Sequence, residues 1–195
     1  MLPVLQQNVF LVKEHVGIFK AANEYDIFDT QSGAKLLECR EPHLGGITKL
    51  LRFTDWKRMT PFEVVVRTPG GQQVLKVKRG VSLFLSKVQV YDENDRYVGG
   101  FHQKLFSIGG KFDVLDAAGA QVCTLQGKWT SWEFRFFSPS RDYAIVTKKW
   151  AGLGKELFTS ADNYVLGIKD SVAPDDPARL LILAAVMVID MVLKE

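Results

Sequence analysis

Two short stretches carry the residue types that meet a charged surface. "TDWKRMT" holds Trp56, Lys57 and Arg58, and "VTKKWAGLGKE" holds Lys148, Lys149, Trp150 and Lys155. A Trp ring settles at the headgroup level of a bilayer, and a neighbouring Lys or Arg meets lipid phosphate. These seven residues form the candidate lipid-binding set, directed at an anionic phospholipid surface. The same mixture can stack and clamp single-stranded nucleic acid. The plainer alternative is a set of half-buried strand tryptophans beside solvated lysines. "LKVKRG", Leu75 to Gly80, places Lys76 and Lys78 on one strand face and Arg79 on the other, the pattern of an outward-facing strand.

Catalytic chemistry has no comparable signature. His15, His43 and His102 stand outside any HExxH or deaminase context. There is no GxSxG elbow. The Gly-Gly pairs at 45, 70, 99 and 109 lack phosphate-loop spacing and read as turns or strand ends. Asp113 and Asp116 fall beside a turn and read as solvated acids. Cys39 and Cys123 are far apart and in no zinc spacing; nothing supports a disulfide between them, and two buried free thiols in a reducing cytosol is the plainer of the two readings. The expectation is a protein that is not an enzyme, with no small-molecule substrate.

The elements that must position these residues are mostly hairpins. "YDIFDTQSGAKLLECR", "FEVVVRTPGGQQVLKVKR", "SKVQVYDENDRYVGGFHQK", "KFDVLDAAGAQVCTLQGK" and "EFRFFSPSRDYAIVTKKW" each alternate β-branched or aromatic residues and break at Asp, Asn, Gly, Pro or Ser. That is the hairpin signal, and its regular spacing predicts a mainly β barrel or sandwich. Leu44 to Pro61 reads as a short helix, from Ile47, Leu50 and Leu51. With 195 residues, 47% apolar, one domain over 1–195 with a sizeable core is expected. A net charge of +3 permits contact with anionic lipid or nucleic acid without demanding it. The first ten residues lack a signal-peptide pattern, which points to the cytoplasm.

The last element decides the architecture. "APDDPARLLILAAVMVIDMVLKE" starts a helix at about Pro177, with Asp176 as N-cap, and runs to about Lys194. The apolar span from Leu180 to Leu193 is 14 residues, roughly 21 Å at about 1.5 Å per residue. A bilayer core needs about 30 Å, and Asp190 interrupts the run. A helix apolar all round and too short to span must be buried on every side. A closed or nearly closed barrel supplies that burial. The predicted core helix then carries Leu180, Leu181, Leu183, Ala184, Met187 and Val188 inside the barrel, with Asp190 near its open end.

The C-terminal sequence also resembles the phospholipid scramblase family. The matching features are Lys149-Trp150, Gly152, Lys155-Glu156, Phe158-Thr159, the run Ala161-Asp162-Asn163-Tyr164, and the apolar tail ending in Ile189-Asp190. "YDIFDTQSG" is similar to the family's first hairpin. That family groups with the LURP-one-related and Tubby C-terminal-like proteins. The resemblance therefore implies a closed barrel of about twelve strands around a hydrophobic C-terminal helix. It implies Ca²⁺-stimulated movement of phospholipids between leaflets, with the last helix as membrane anchor. Anchor and core filler are incompatible in one state, and the length of the span favours the core. The family's calcium segment begins here at Ser160, so its first acid is missing. Asp162, Asn163 and Asp170 are the oxygen donors left for Ca²⁺. Otherwise "SADNY" is a turn. Two readings result: a scramblase-like protein peripheral at the membrane, or a LURP-one-like binding module with a protein or nucleic-acid partner.

Overall fold

The computed structural model describes residues 3–15, 24–42, 60–81, 85–104, 110–128, 130–148 and 163–193. Twelve strands run in chain order: β1 (Val9–Glu14), β2 (Glu24–Asp29), β3 (Lys35–Arg40), β4 (Phe62–Arg67), β5 (Gln73–Arg79), β6 (Lys87–Tyr91), β7 (Tyr97–Gln103), β8 (Lys111–Asp116), β9 (Gln121–Lys128), β10 (Glu133–Phe137), β11 (Asp142–Thr147) and β12 (Asn163–Ile168). Each pairs antiparallel with its sequence neighbours, and β1 pairs with β12 from Val9↔Gly167 to Lys13↔Asn163. The sheet is therefore a closed barrel with no free edge. All five hairpins read from the sequence are present.

Turn chemistry sets the tight connections. Asp29 Oδ1 accepts the N–H groups of Gln31 and Ser32. Asp92 Oδ1 accepts those of Asn94 and Arg96, and Asp116 Oδ1 those of Ala118 and Ala120. Such Asx contacts satisfy backbone donors while the chain reverses. Gly119, at φ +83°, completes the third turn in the left-handed region.

Alternate strand residues point inward and fill the barrel wall, among them Phe10, Tyr25, Leu37, Val64, Phe101, Phe112, Phe134 and Leu166. The remaining interior is taken by α1 (Ala178–Val188), which packs on β5, β6, β7 and β12. Asp176 Oδ1 accepts the Ala178 N–H at 2.9 Å, and Pro177 already has helical torsions. The helix start follows the sequence expectation. Its end differs: after Val188 the chain widens into a π-helical turn, Ile189–Leu193. Leu181, Leu183, Ala184, Met187, Val188 and Asp190 are buried, while Leu180 is only half-buried. Among the described residues no helix is long and apolar enough to cross a membrane. The short helix expected within Leu44 to Pro61 lies largely outside the described residues.

Candidate functional site

The core helix is fastened by a polar contact at each end. At its start the Arg179 guanidinium is 3% exposed. It donates to the carbonyls of Leu5, Gln7, Val172 and Ala173 and to Asn8 Oδ1, at 2.7–3.0 Å. Burial disfavours its charge, and nearby Asp176 and Asp170 oppose that effect. At the other end Tyr25 Oη donates to Asp190 Oδ2 at 2.5 Å. Burial first, and then the Asp190 charge, push the Tyr25 phenol well above its ordinary range. Asp190 is 4% exposed, so its carboxylate is buried rather than open to water.

Strand direction gives the two barrel ends different characters. Following the registers from Arg40↔Glu24 through Glu14↔Tyr25, Lys13↔Asn163, Val165↔Thr147 and Thr147↔Glu133 to Glu133↔Lys128 stays at one end of the barrel. This is the Asp190 end. Both stretches that carry the candidate basic and aromatic residues leave and re-enter the barrel here. One follows β3 and precedes β4; the other follows β11 and precedes β12. Trp56, Lys57, Arg58, Lys149, Trp150, Lys155 and Asp162 themselves lie outside the described residues.

Lys148 is described, and it meets an aromatic group that sequence reasoning did not select. Its Nζ stands 3.7 Å from the centroid of Trp132, a cation–π contact. Trp132 adopts φ +48° in the β9–β10 turn. Its ring stacks on Tyr164 at 5.9 Å and meets Phe134 edge-on at 6.3 Å. Trp132 therefore lies over the core at the Asp190 end and carries a cation on its outer side. A signal existed. Glu133 pairs with Thr147, so continuing the hairpin register by one residue sets Trp132 against Lys148.

Of the calcium donors, the two that are described, Asn163 and Asp170, are not brought together. Asn163 starts β12 and Asp170 follows its end, so a six-residue strand of roughly 17–20 Å separates them. Asp170 Oδ1 accepts from Asn8 Nδ2 at 2.7 Å. Asn163 and Tyr164 are strand residues, so "SADNY" is not simply a turn. Among the described residues no group of three His, Cys, Asp or Glu could hold a metal ion. The described donors do not fit a calcium site. Lys76 and Lys78 face outward as expected. Arg79 is buried and donates to the Thr60 carbonyl and Ser86 Oγ.

A scramblase family model matches residues 4–195. The chain belongs to the scramblase family. A phospholipid scramblase family protein of Schizosaccharomyces pombe is 26% identical over 179 residues, covering 84% of this chain and 47% of the relative. The chain thus spans about half the length of that curated relative. No solved structure matches. Within this scramblase-family chain the apolar C-terminal segment fills the barrel, and the basic-aromatic stretches begin and end at the rim beside its Asp190 end.

Proposed function

We propose that this protein acts on phospholipid membranes from outside the bilayer, without enzymatic chemistry. In this reading it is peripheral and cytoplasmic, and it meets anionic headgroups through one end of the barrel. The observation that carries this reading is the shared origin of the two basic-aromatic stretches at the Asp190 end. There Lys148 is held on the Trp132 ring. The enclosed helix supports it too: with ten of the eleven residues of α1 buried, lipid contact falls to the surface of the barrel. Family membership supports a phospholipid connection, and movement of lipid between leaflets is the corresponding activity. The barrel around an apolar helix is also the architecture that the Tubby C-terminal-like and LURP-one-related grouping implies, and we place the chain there.

The test is flotation of detergent-free protein with anionic vesicles at low and high salt, with and without Ca²⁺. Binding that weakens with salt, is insensitive to Ca²⁺ and falls in a Lys148→Glu, Lys149→Glu variant is expected. Equal flotation of the variant would remove the electrostatic reading. No flotation under any condition would favour the alternative, a soluble module with a protein or nucleic-acid partner.

A further inference from the structure

The outer face of β9, β10 and β11 carries two hollows that share a wall. One, of about 370 Å³, is lined by Lys128, Glu133, Arg135 and Asp142. The other, of about 440 Å³, is lined by Val122 and Pro139 among others. Phe137 belongs to both. Each volume falls in the range of small-ligand sites.

The register produces this arrangement. Outward positions alternate along β10, so Glu133, Arg135 and Phe137 form a row of acid, base and aromatic. Lys128 stands opposite Glu133 on β9, and Asp142 stands opposite Phe137 on β11. The β10–β11 register slips between Phe136 and Phe137, and such a bulge re-aims side chains. Charged and apolar surfaces thereby meet at one aromatic ring.

The charge pattern selects the ligand. Lys128 and Arg135 contribute two positive charges, Glu133 and Asp142 two negative. Arg135 pairs with Asp142 at 2.9 Å, with both side chains about half exposed. A plain anion in the hollow would face two carboxylates, and a plain cation would face Lys128 and Arg135. A ligand with a phosphate and an ammonium two carbons apart satisfies both signs. It replaces one exposed ion pair, itself weak, by two. Arg is the side chain suited to phosphate oxygens.

We propose that this double hollow binds a zwitterionic phosphate ester of the phosphocholine or phosphoethanolamine class. The phosphate lies toward Lys128 and Arg135 and the ammonium toward Glu133, at the end of the row away from Phe137 and Asp142. In a lipid, the chain adjoining the headgroup passes Phe137 into the Val122–Pro139 hollow. The inference rests on the phospholipid reading above but uses a different surface from Lys148 and Trp132.

The experiment is an amide NMR titration of the full chain with three probes: monomeric dihexanoyl-phosphatidylcholine, phosphorylcholine and inorganic phosphate. The short-chain lipid should shift amides of residues 122–142, and phosphorylcholine should bind the same residues at least tenfold more weakly. Phosphate alone should leave them unmoved. The lipid as the only strong ligand marks a membrane source, whereas equal binding by phosphorylcholine marks a soluble one, and either supports the site. Lys128→Gln with Arg135→Gln should weaken the lipid at least tenfold while flotation on anionic vesicles is retained. Unchanged affinity in that variant, shifts confined elsewhere, or phosphate binding as well as the lipid would overturn the proposal. Loss of flotation by Lys148→Glu, Lys149→Glu with short-chain lipid binding intact would show that the two surfaces act separately.

Discussion

Replacing Arg179 by Met tests whether the core helix is held by its polar anchor or by apolar contact alone. The guanidinium makes five hydrogen bonds, reaching the N-terminal segment at Leu5, Gln7 and Asn8 and the turn before α1 at Val172 and Ala173. Hydrogen bonds to a charged group contribute about 1.5–3 kcal/mol each. Five do not sum, because Met also lifts the desolvation cost of a buried cation and water reaches some of the freed carbonyls. Breaking a buried network of this kind costs about 3–5 kcal/mol. At about 2–4 °C per kcal/mol for a chain of this size, the melting temperature should fall by roughly 10 °C. Lys at 179 keeps the charge, but its single nitrogen cannot span five acceptors, so an intermediate loss is expected. The assay is urea denaturation of wild type, Arg179→Met and Arg179→Lys, with midpoint and slope compared. A Met variant within about 1 kcal/mol of wild type, or a Lys variant equal to wild type, would refute the anchor.

Asp26 predicts an acid-sensitive barrel. Burial alone would raise its carboxyl, but hydrogen bonds from Arg40, Lys35 and His15 outweigh this and bring it to about 2. The unfolded state then binds the extra proton first, so this stabilisation is present above about pH 4 and is lost as pH falls toward about 2. With the partner side chains about a third exposed it amounts to about 1–2 kcal/mol; Asp26→Asn should flatten the stability-against-pH curve in that window. Gly127→Ala puts a methyl group against the Phe134 ring and the Glu133 carbonyl, so a loss of at least about 1–3 kcal/mol is expected in the same denaturation assay. Cys39 and Cys123 are buried free thiols. Burial raises both, Cys123 to about 12, so a thiol reagent should react slowly with native protein and with two thiols per chain in denaturant.

The hairpins were legible because each carries its own turn. Asp29, Asp92 and Asp116 announce the reversals, and period-two alternation gives the inward residues. The pair that closes the barrel has no such local signal. β1 and β12 are joined by no turn, and every residue of β12 is buried, so "NYVLGI" shows no alternation. That is also why "SADNY" reads as a turn although Asn163 and Tyr164 begin the strand. The core helix was readable from one quantity, the length of its apolar run, but the π-helical turn at Ile189 was not, because no residue there breaks a helix. The site was less legible than the fold. Adjacent letters drew attention to Trp150, whereas the aromatic partner of Lys148 is Trp132, which is near only through the register. The Asn163–Asp170 separation likewise follows from the intervening strand and not from proximity in sequence.

The position of α1 inside the barrel has a consequence for biosynthesis. All twelve strands emerge from the ribosome before the residues that fill their interior. At roughly 5–20 residues per second, the inward faces of β1 to β11 wait for seconds without their filling. β1 also waits for β12, which follows it by about 150 residues. During that interval the nascent chain is a series of hairpins with apolar faces in water. Closure of the sheet and capture of the helix must then occur together, late and over a long contour. Exposed apolar hairpins of this kind are prone to aggregate, a hazard confined to the interval before closure, since the finished barrel has no free edge.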